Sequence, residues 1–193
     1  MKNVALAAAA ASTVTDHFDS ARAFAALRAI PGRMEPVLVE SAAALPRVLV
    51  DFAHTPDGVE QALQASRAHF SGALWCVLGC GGNRDAAKRP VMAATAEQHA
   101  DHLVITSDNP RDEAAETIAE QMLAGMKTPQ AAVVELDRAR AIEHTVAQAA
   151  AGDVLLLAGK GHEQYQEIAG VQYPFSDLAV AQAALLQRAG GAV

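Results

Sequence analysis

Short apolar runs recur along the chain at about 47 to 53, 73 to 79, 102 to 106, 132 to 136 and 153 to 158. Between them lie longer stretches with apolar residues at helical spacing, at about 57 to 69, 89 to 100, 113 to 126 and 138 to 150. Continuous runs such as Val154-Leu155-Leu156-Leu157-Ala158 are what a strand covered on both faces requires. Strand, helix, strand in repetition predicts right-handed crossovers and a mostly parallel α/β sheet with helices on both faces. Upstream, Pro36-Val37-Leu38-Val39 and Arg47-Val48-Leu49-Val50-Asp51 read as two short strands. Residues 3 to 30 read as two helices joined near Thr13 to Asp19 and stopped by Pro31-Gly32. Beyond Gly161, Tyr165-Gln166-Glu167-Ile168 and Val171-Gln172-Tyr173 flank Ala169-Gly170 as a hairpin, and Ser176 caps a last helix ending near Gly190.

A chain of 193 residues, 51% hydrophobic and 19% charged, can bury a core, and predicts one domain with an appendage. A formal net charge of -7, with no basic run interleaved with aromatics, argues against a nucleic-acid partner. Cys76 and Cys80 share one apolar run at a gap that suits neither zinc nor redox chemistry, so they read as core thiols of a reducing cytoplasm. Met1-Lys2 followed by Val4 to Ala11 imitates a secretory leader, but a run that is nearly all alanine suits a packed helix better. No later segment is long enough to cross a bilayer, and no membrane insertion is expected.

Chemistry-bearing residues gather where strands end: Asp51-Phe52-Ala53-His54-Thr55-Pro56-Asp57, Gly79-Cys80-Gly81-Gly82-Asn83-Arg84-Asp85, Thr106-Ser107-Asp108-Asn109-Pro110-Arg111 and Gly159-Lys160-Gly161-His162-Glu163. In open α/β sheets ligands bind beyond the carboxyl ends of the strands, so these loops predict one cleft. Arg111 can grip a carboxylate with two parallel hydrogen bonds, Asp108 can hold an ammonium, and Pro110 stiffens the loop between them, a device suited to an amino acid. A capped turn accounts for the same hexapeptide, since Asp, Asn and Pro are turn formers. The glycines of Gly79 to Gly82 fit a phosphate-cradling turn or a plain tight turn equally, and Arg84 and Lys88 fit a site or a solvated surface. His54 reads as an acid or base, a nucleotide contact or a turn residue. His99 and His102 flank Asp101 but straddle a helix end and a strand start, and no metal site is expected there.

Taken together with Pro31-Gly32-Arg33-Met34-Glu35 and Lys88-Arg89-Pro90, these loops resemble the Mur ligases, in order and spacing, from about Asn3 to the final helix. The resemblance implies a Rossmann-like C-terminal domain over 33-193, preceded over 1-32 by the last helices of a central ATPase domain. It also implies that a P-loop and a UDP-sugar domain lie outside this sequence, that Met1 is an introduced start, and that the chain alone has no ligase activity. In the family, ATP phosphorylates a UDP-MurNAc-peptide carboxylate, magnesium stabilises the phosphates, and the incoming amine attacks the acyl phosphate. Asp108-Asn109-Pro110-Arg111 matches the signature of members that add meso-diaminopimelate to UDP-MurNAc-L-Ala-D-Glu; lysine-adding members lack this arginine. The resemblance assigns Arg84, Asp108, Asn109, Pro110, Arg111, Gly159 and Glu163 to meso-diaminopimelate, and Arg33, Asp51 and His54 to the nucleotide. ATP and Mg2+ are expected to be held mainly by the central domain, and no catalytic or metal-ligating residue is expected here. Two other assignments share the pattern: a related ligase, such as a murein tripeptide ligase or a folylpolyglutamate synthase, which Asp108 to Arg111 disfavours, and a stand-alone amino-acid-binding module.

Overall fold

The structure is a computed structural model that describes residues 30–190. The chain divides into two units, Met1–Ile30 and Pro31–Val193, and all the described elements belong to the second. The helices expected over residues 3 to 30 lie outside the described residues. In chain order the elements are β1 (Glu35–Pro36), β2 (Arg47–Asp51), α1 (Pro56–His69), β3 (Leu74–Leu78), α2 (Lys88–His99), β4 (His102–Ile105) and α3 (Ala115–Leu123). A 3-10 turn at Pro129–Ala131 follows, then β5 (Val133–Val134), α4 (Arg138–Gln148), β6 (Val154–Ala158), β7 (Tyr165–Ile168), β8 (Val171–Pro174) and α5 (Asp177–Gly190).

Six strands form one sheet in the order β1-β2-β6-β3-β4-β5, and β7 and β8 pair separately. Within the large sheet β1 runs antiparallel to β2, and all other pairings are parallel. Side-chain alternation divides the core into two layers. Leu49, Cys76, Leu78, Leu103, Ile105, Leu156 and Ala158 pack against Val59, Leu63, Met92, Ala96, Ile118 and Met122 of α1, α2 and α3. Val48, Val50, Val77, Val104, Leu155 and Leu157 pack against Ile142, Val146, Ala181 and Leu185 of α4 and α5. Each fully buried aliphatic side chain of this kind contributes roughly 1.5–3 kcal/mol. Both cysteines sit in the first layer as buried free thiols, each pushed up to about 12 by burial.

The faces follow from handedness. The connections from β2 to β5 advance across the sheet in one direction, so right-handed crossovers put α1, α2 and α3 on one face. The connection from β5 to β6 runs back, so the same rule puts α4 on the other face. The return leaves β6 between β2 and β3, which makes the ends of these strands the switch point where a crevice opens.

The outer strands are shorter than the apolar pattern predicts. The expected strand at 36 to 39 reduces to Glu35–Pro36: Val37 makes one further ladder bond to Val48, and Leu38 beyond it is exposed to solvent. The run at 132 to 136 supplies only Val133–Val134, an exposed edge that pairs with β4 alone. The expected hairpin is present, and its turn residues Ala169 and Gly170 have φ of 49° and 75°, as a two-residue type I′ turn requires. Ser176 Oγ accepts the Ala179 N–H at 3.4 Å at the start of α5.

Candidate functional site

The loops after β2, β3, β4 and β6 line one cleft of about 380 Å3, walled by Phe52, His54, Gly81, Arg84, Asp108, Asn109, Arg111, Gly159 and Glu163, with Asp85 and Lys88 at its margin. Sequence alternation brought none of these together; the parallel register did, by ending four strands at one edge.

One wall of the cleft is acidic and built around a buried lysine. Lys160 follows β6 between Gly159 (φ 114°) and Gly161 (φ 54°), a backbone path that tucks its side chain inward. Its Nζ donates to Asn109 Oδ1 at 3.0 Å and Glu163 Oε2 at 3.1 Å, and lies 3.7 Å from Asp108 Oδ1. Asn109 is held at both ends: its Nδ2 donates to Glu163 at 2.8 Å, and its Oδ1 also accepts the Glu167 amide at 2.9 Å. Burial pushes the Asp108 carboxyl up, against the pull of Arg138 and Lys160. A Cβ on Gly159 would stand 2.6 Å from Asp108 Oδ2, so only glycine admits the carboxylate at this place.

The basic residues of the cleft come from the loops after β3 and β4. Arg111 adopts φ 52° and is held there by its neighbours: its N–H donates to Glu167 O at 3.0 Å, and its carbonyl accepts the Ala169 N–H at 2.7 Å. Its Nε donates to Glu167 Oε2 at 3.1 Å and its Nη1 to Gly82 O at 2.8 Å. The Nη2 makes no hydrogen bond among the described residues. Arg84 reaches the same space with one long contact, to Asn83 O at 3.4 Å. Lys88 is occupied, donating to His54 O at 2.9 Å. Pro110 backs the loop, and its carbonyl lies so close to Gly82 that a Cβ there would come within 1.9 Å.

The residues expected to meet a nucleotide line an adjoining hollow of about 280 Å3 that shares Phe52 and His54 with the cleft. The Arg33 guanidinium lies 5.1 Å from the Phe52 ring centroid, and His54 packs edge-on to the same ring at 4.6 Å. Asp51 accepts the Met34 N–H at 2.7 Å, and burial raises its carboxyl against that bond and against Arg33. His54 Nδ1 lies 2.8 Å from Phe52 O, and a carbonyl can only accept, so this nitrogen carries the hydrogen. A cation, an acceptor and an aromatic face suit the sugar and phosphate margin of a nucleotide. Among the described residues no three His, Cys, Asp or Glu side chains converge as metal ligands. Asp101 accepts from Arg67 and the Leu74 amide, His102 stacks on Trp75 at 3.9 Å, and His99 lies 3.6 Å from Glu60.

Two buried arginines that sequence reading did not single out as site residues brace the loops. Arg138, at the start of α4, grips Asp177 of α5 with two bonds of 2.7 Å and also donates to Ala158 O and Ser107 O, tying the ends of β6 and β4 together. Arg89 of α2 donates to both oxygens of Glu113, to Gln121 and to Gly81 O, holding the glycine loop after β3. Arg138 carries no local signal, because it sits in a helical stretch where a solvated arginine is ordinary; Arg89 was read only as part of Lys88-Arg89-Pro90, with no bracing role. Lys160 did carry one in its flanking glycines.

The geometry is that of an α/β domain whose strand ends form a polar cleft lined by side chains of both signs. Residues 32–161 match the family model described as Mur ligase, glutamate ligase domain, and the chain belongs to that family. Among curated proteins it is 53% identical, over 88% of its length, to the UDP-N-acetylmuramoyl-L-alanyl-D-glutamate--2,6-diaminopimelate ligase of Acidovorax sp. (strain JS42), and 52% identical, over 82%, to that of Coxiella burnetii (strain RSA 493 / Nine Mile phase I). These alignments take in 34% and 32% of the relatives, so the chain spans about a third of their length. A solved structure of a ligase of the same name superposes with a TM-score of 0.75 at 38% identity, covering 94% of this chain and 37% of that one.

Proposed function

We propose that this domain receives the incoming amino acid in an ATP-dependent ligase of peptidoglycan precursor synthesis. The ligase adds meso-diaminopimelate to UDP-MurNAc-L-Ala-D-Glu in the cytoplasm. The carrying observation is the polarity of the cleft. The lining carries both signs, Asp85, Asp108 and Glu163 beside Arg84, Lys88 and Arg111, with Lys160 buried against Asp108 and Glu163 and Glu167 bonded to Arg111. An amino acid with a further carboxylate fits such a lining: Asp108 and Glu163 take an ammonium, and Arg111, with its open Nη2, and Arg84 take carboxylates. Asn109, Pro110 and Gly159 shape the acidic wall and its approach.

The hollow beside the cleft supports a nucleotide reading for Arg33, Asp51 and His54, with Phe52 between the two ligands. ATP would supply the phosphoryl group that activates the peptide carboxylate. This chain's own contribution is to hold the amine of the second substrate near that group and to orient its distal carboxylate. Mg2+ would be held mainly by the central domain and the nucleotide phosphates, where it would neutralise phosphate charge.

Calorimetric titration with meso-diaminopimelate tests the reading, with L-lysine and Arg111→Ala as controls. Loss of one charge-assisted bond of about 1.5–3 kcal/mol predicts that each control weakens binding by roughly 10- to 100-fold. Equal affinity for lysine and diaminopimelate would reject the assignment of Arg111.

A further inference from the structure

Lys160 is the one cation of the acidic wall, and it faces no ligand: its side chain is 0% exposed. We infer that Lys160 is a positioning residue, a buried cation that draws Asp108 and Glu163 to one point and fixes Asn109 between them, so that the two acids are presented together to an incoming ammonium group. The distances carry this. One Nζ bonds Glu163 Oε2 and Asn109 Oδ1 and stands within ion-pair reach of Asp108 Oδ1. Two acids so close repel one another, and burial favours the neutral form of Asp108, so without a shared cation one of them holds a proton.

Around Asp108 Lys160 shares this task with Arg138, whose charge also favours the ionised carboxylate. The rings of Tyr165 and Phe175 each lie with their centroids 5.9 Å from Nζ and bring no full charge. Arg138 is bonded to Asp177 twice, and among the described residues Lys160 is the cation that stands within ion-pair reach of both Asp108 and Glu163. Glu167 contacts the group only through its amide on Asn109, its carboxylate being turned to Arg111. One ammonium against two carboxylates leaves a single negative charge, which a ligand ammonium would cancel. Asn109 is oriented by the same contact, since an Oδ1 that accepts from Lys160 leaves Nδ2 to donate to Glu163.

Two measurements on the chain test the inference without a ligand. In the wild-type protein, the 15N resonance of the Lys160 ζ-ammonium is expected to follow the titration of the Asp108 and Glu163 carboxyl carbons. A resonance indifferent to both would overturn the assignment, and this readout does not depend on any variant folding. In Lys160→Met, at least one of the two carboxyls is expected to titrate about one pH unit or more higher than in wild type, and unchanged titration would likewise overturn it.

A third measurement rests on the amino-acid reading of the cleft. Lys160→Met is expected to bind meso-diaminopimelate about tenfold or more weakly below the titration of the affected carboxyl and to recover much of the loss as pH rises through that titration. A loss that is constant across this range would mark Lys160 as merely structural and overturn its electrostatic role. A wild-type chain that does not bind meso-diaminopimelate counts against the amino-acid reading, while the two carboxyl titrations still decide the role of Lys160.

Discussion

Gly159 shows how much one residue's backbone decides here. Its φ of 114° is a region that side chains avoid, and a methyl group would meet Asp108 Oδ2 at 2.6 Å. Gly159→Ala is therefore expected to cost about 1–3 kcal/mol, read as a lower denaturant midpoint at unchanged slope, and to displace the Asp108 carboxylate as well. Arg111 differs: its φ of 52° is held by two backbone bonds to the hairpin, which a substitution leaves in place. Arg111→Lys is thus expected to fold like wild type and still fail to restore diaminopimelate binding, because an ammonium cannot reproduce the guanidinium fork. The residue types of these loops were legible as candidates, since acids, amides and arginines at strand ends have little reason from packing alone. Their partners were not. Nothing local to Glu167 says that it faces Arg111 across 56 positions of sequence.

At the scale of elements, the Arg138–Asp177 pair joins α4 to α5 and both to the ends of β4 and β6. Both side chains are fully buried, so removing one strands the other's charge. Arg138→Met is expected to destabilise the domain by about 3–5 kcal/mol, whereas Arg138→Met combined with Asp177→Leu recovers most of that loss. A double-mutant cycle in urea gives the coupling, and additive losses would show that the pair does not act as a unit. The central strands and helices were legible, because burial on both faces imposes continuous apolar runs and burial on one face imposes helical spacing. The edges were overread for the same reason. Val133 and Val134 are as apolar as a central strand, but they have a ladder partner on one side only and stand half exposed.

For the whole molecule, pH sets several carboxylates against one another. Glu113, bonded to Arg89 and the Asn83 amide, is lowered from 4.5 to about 2. Its contribution to stability is therefore complete above its unfolded value and lost as pH falls from about 4.5 through 2. Asp101, lowered by the Leu74 amide and Arg67, acts in the same direction. Asp51 and Asp108, raised by burial, act oppositely: they cost stability above their folded values, and acidification relieves that cost. The Tm is expected to hold or rise slightly as pH falls through the range of the buried pair, then drop toward pH 2, and Glu113→Gln should flatten the final drop. An unchanged drop in that variant would remove the Arg89–Glu113 clamp from the account. The order of apolar and polar runs was enough to determine a parallel α/β domain and the loops that face its ligand edge, because periodicity and strand-end polarity are local properties. Only the tertiary structure decided that β6 returns between β2 and β3, and so which loops meet. It likewise decided that Lys160 lies beneath Asp108 and Glu163 and that Arg138 and Arg89 brace the cleft from inside. Apart from Lys160 and Glu163, which are three residues apart, these are pairings between residues distant in sequence, selected by burial and charge compensation, which no local pattern encodes.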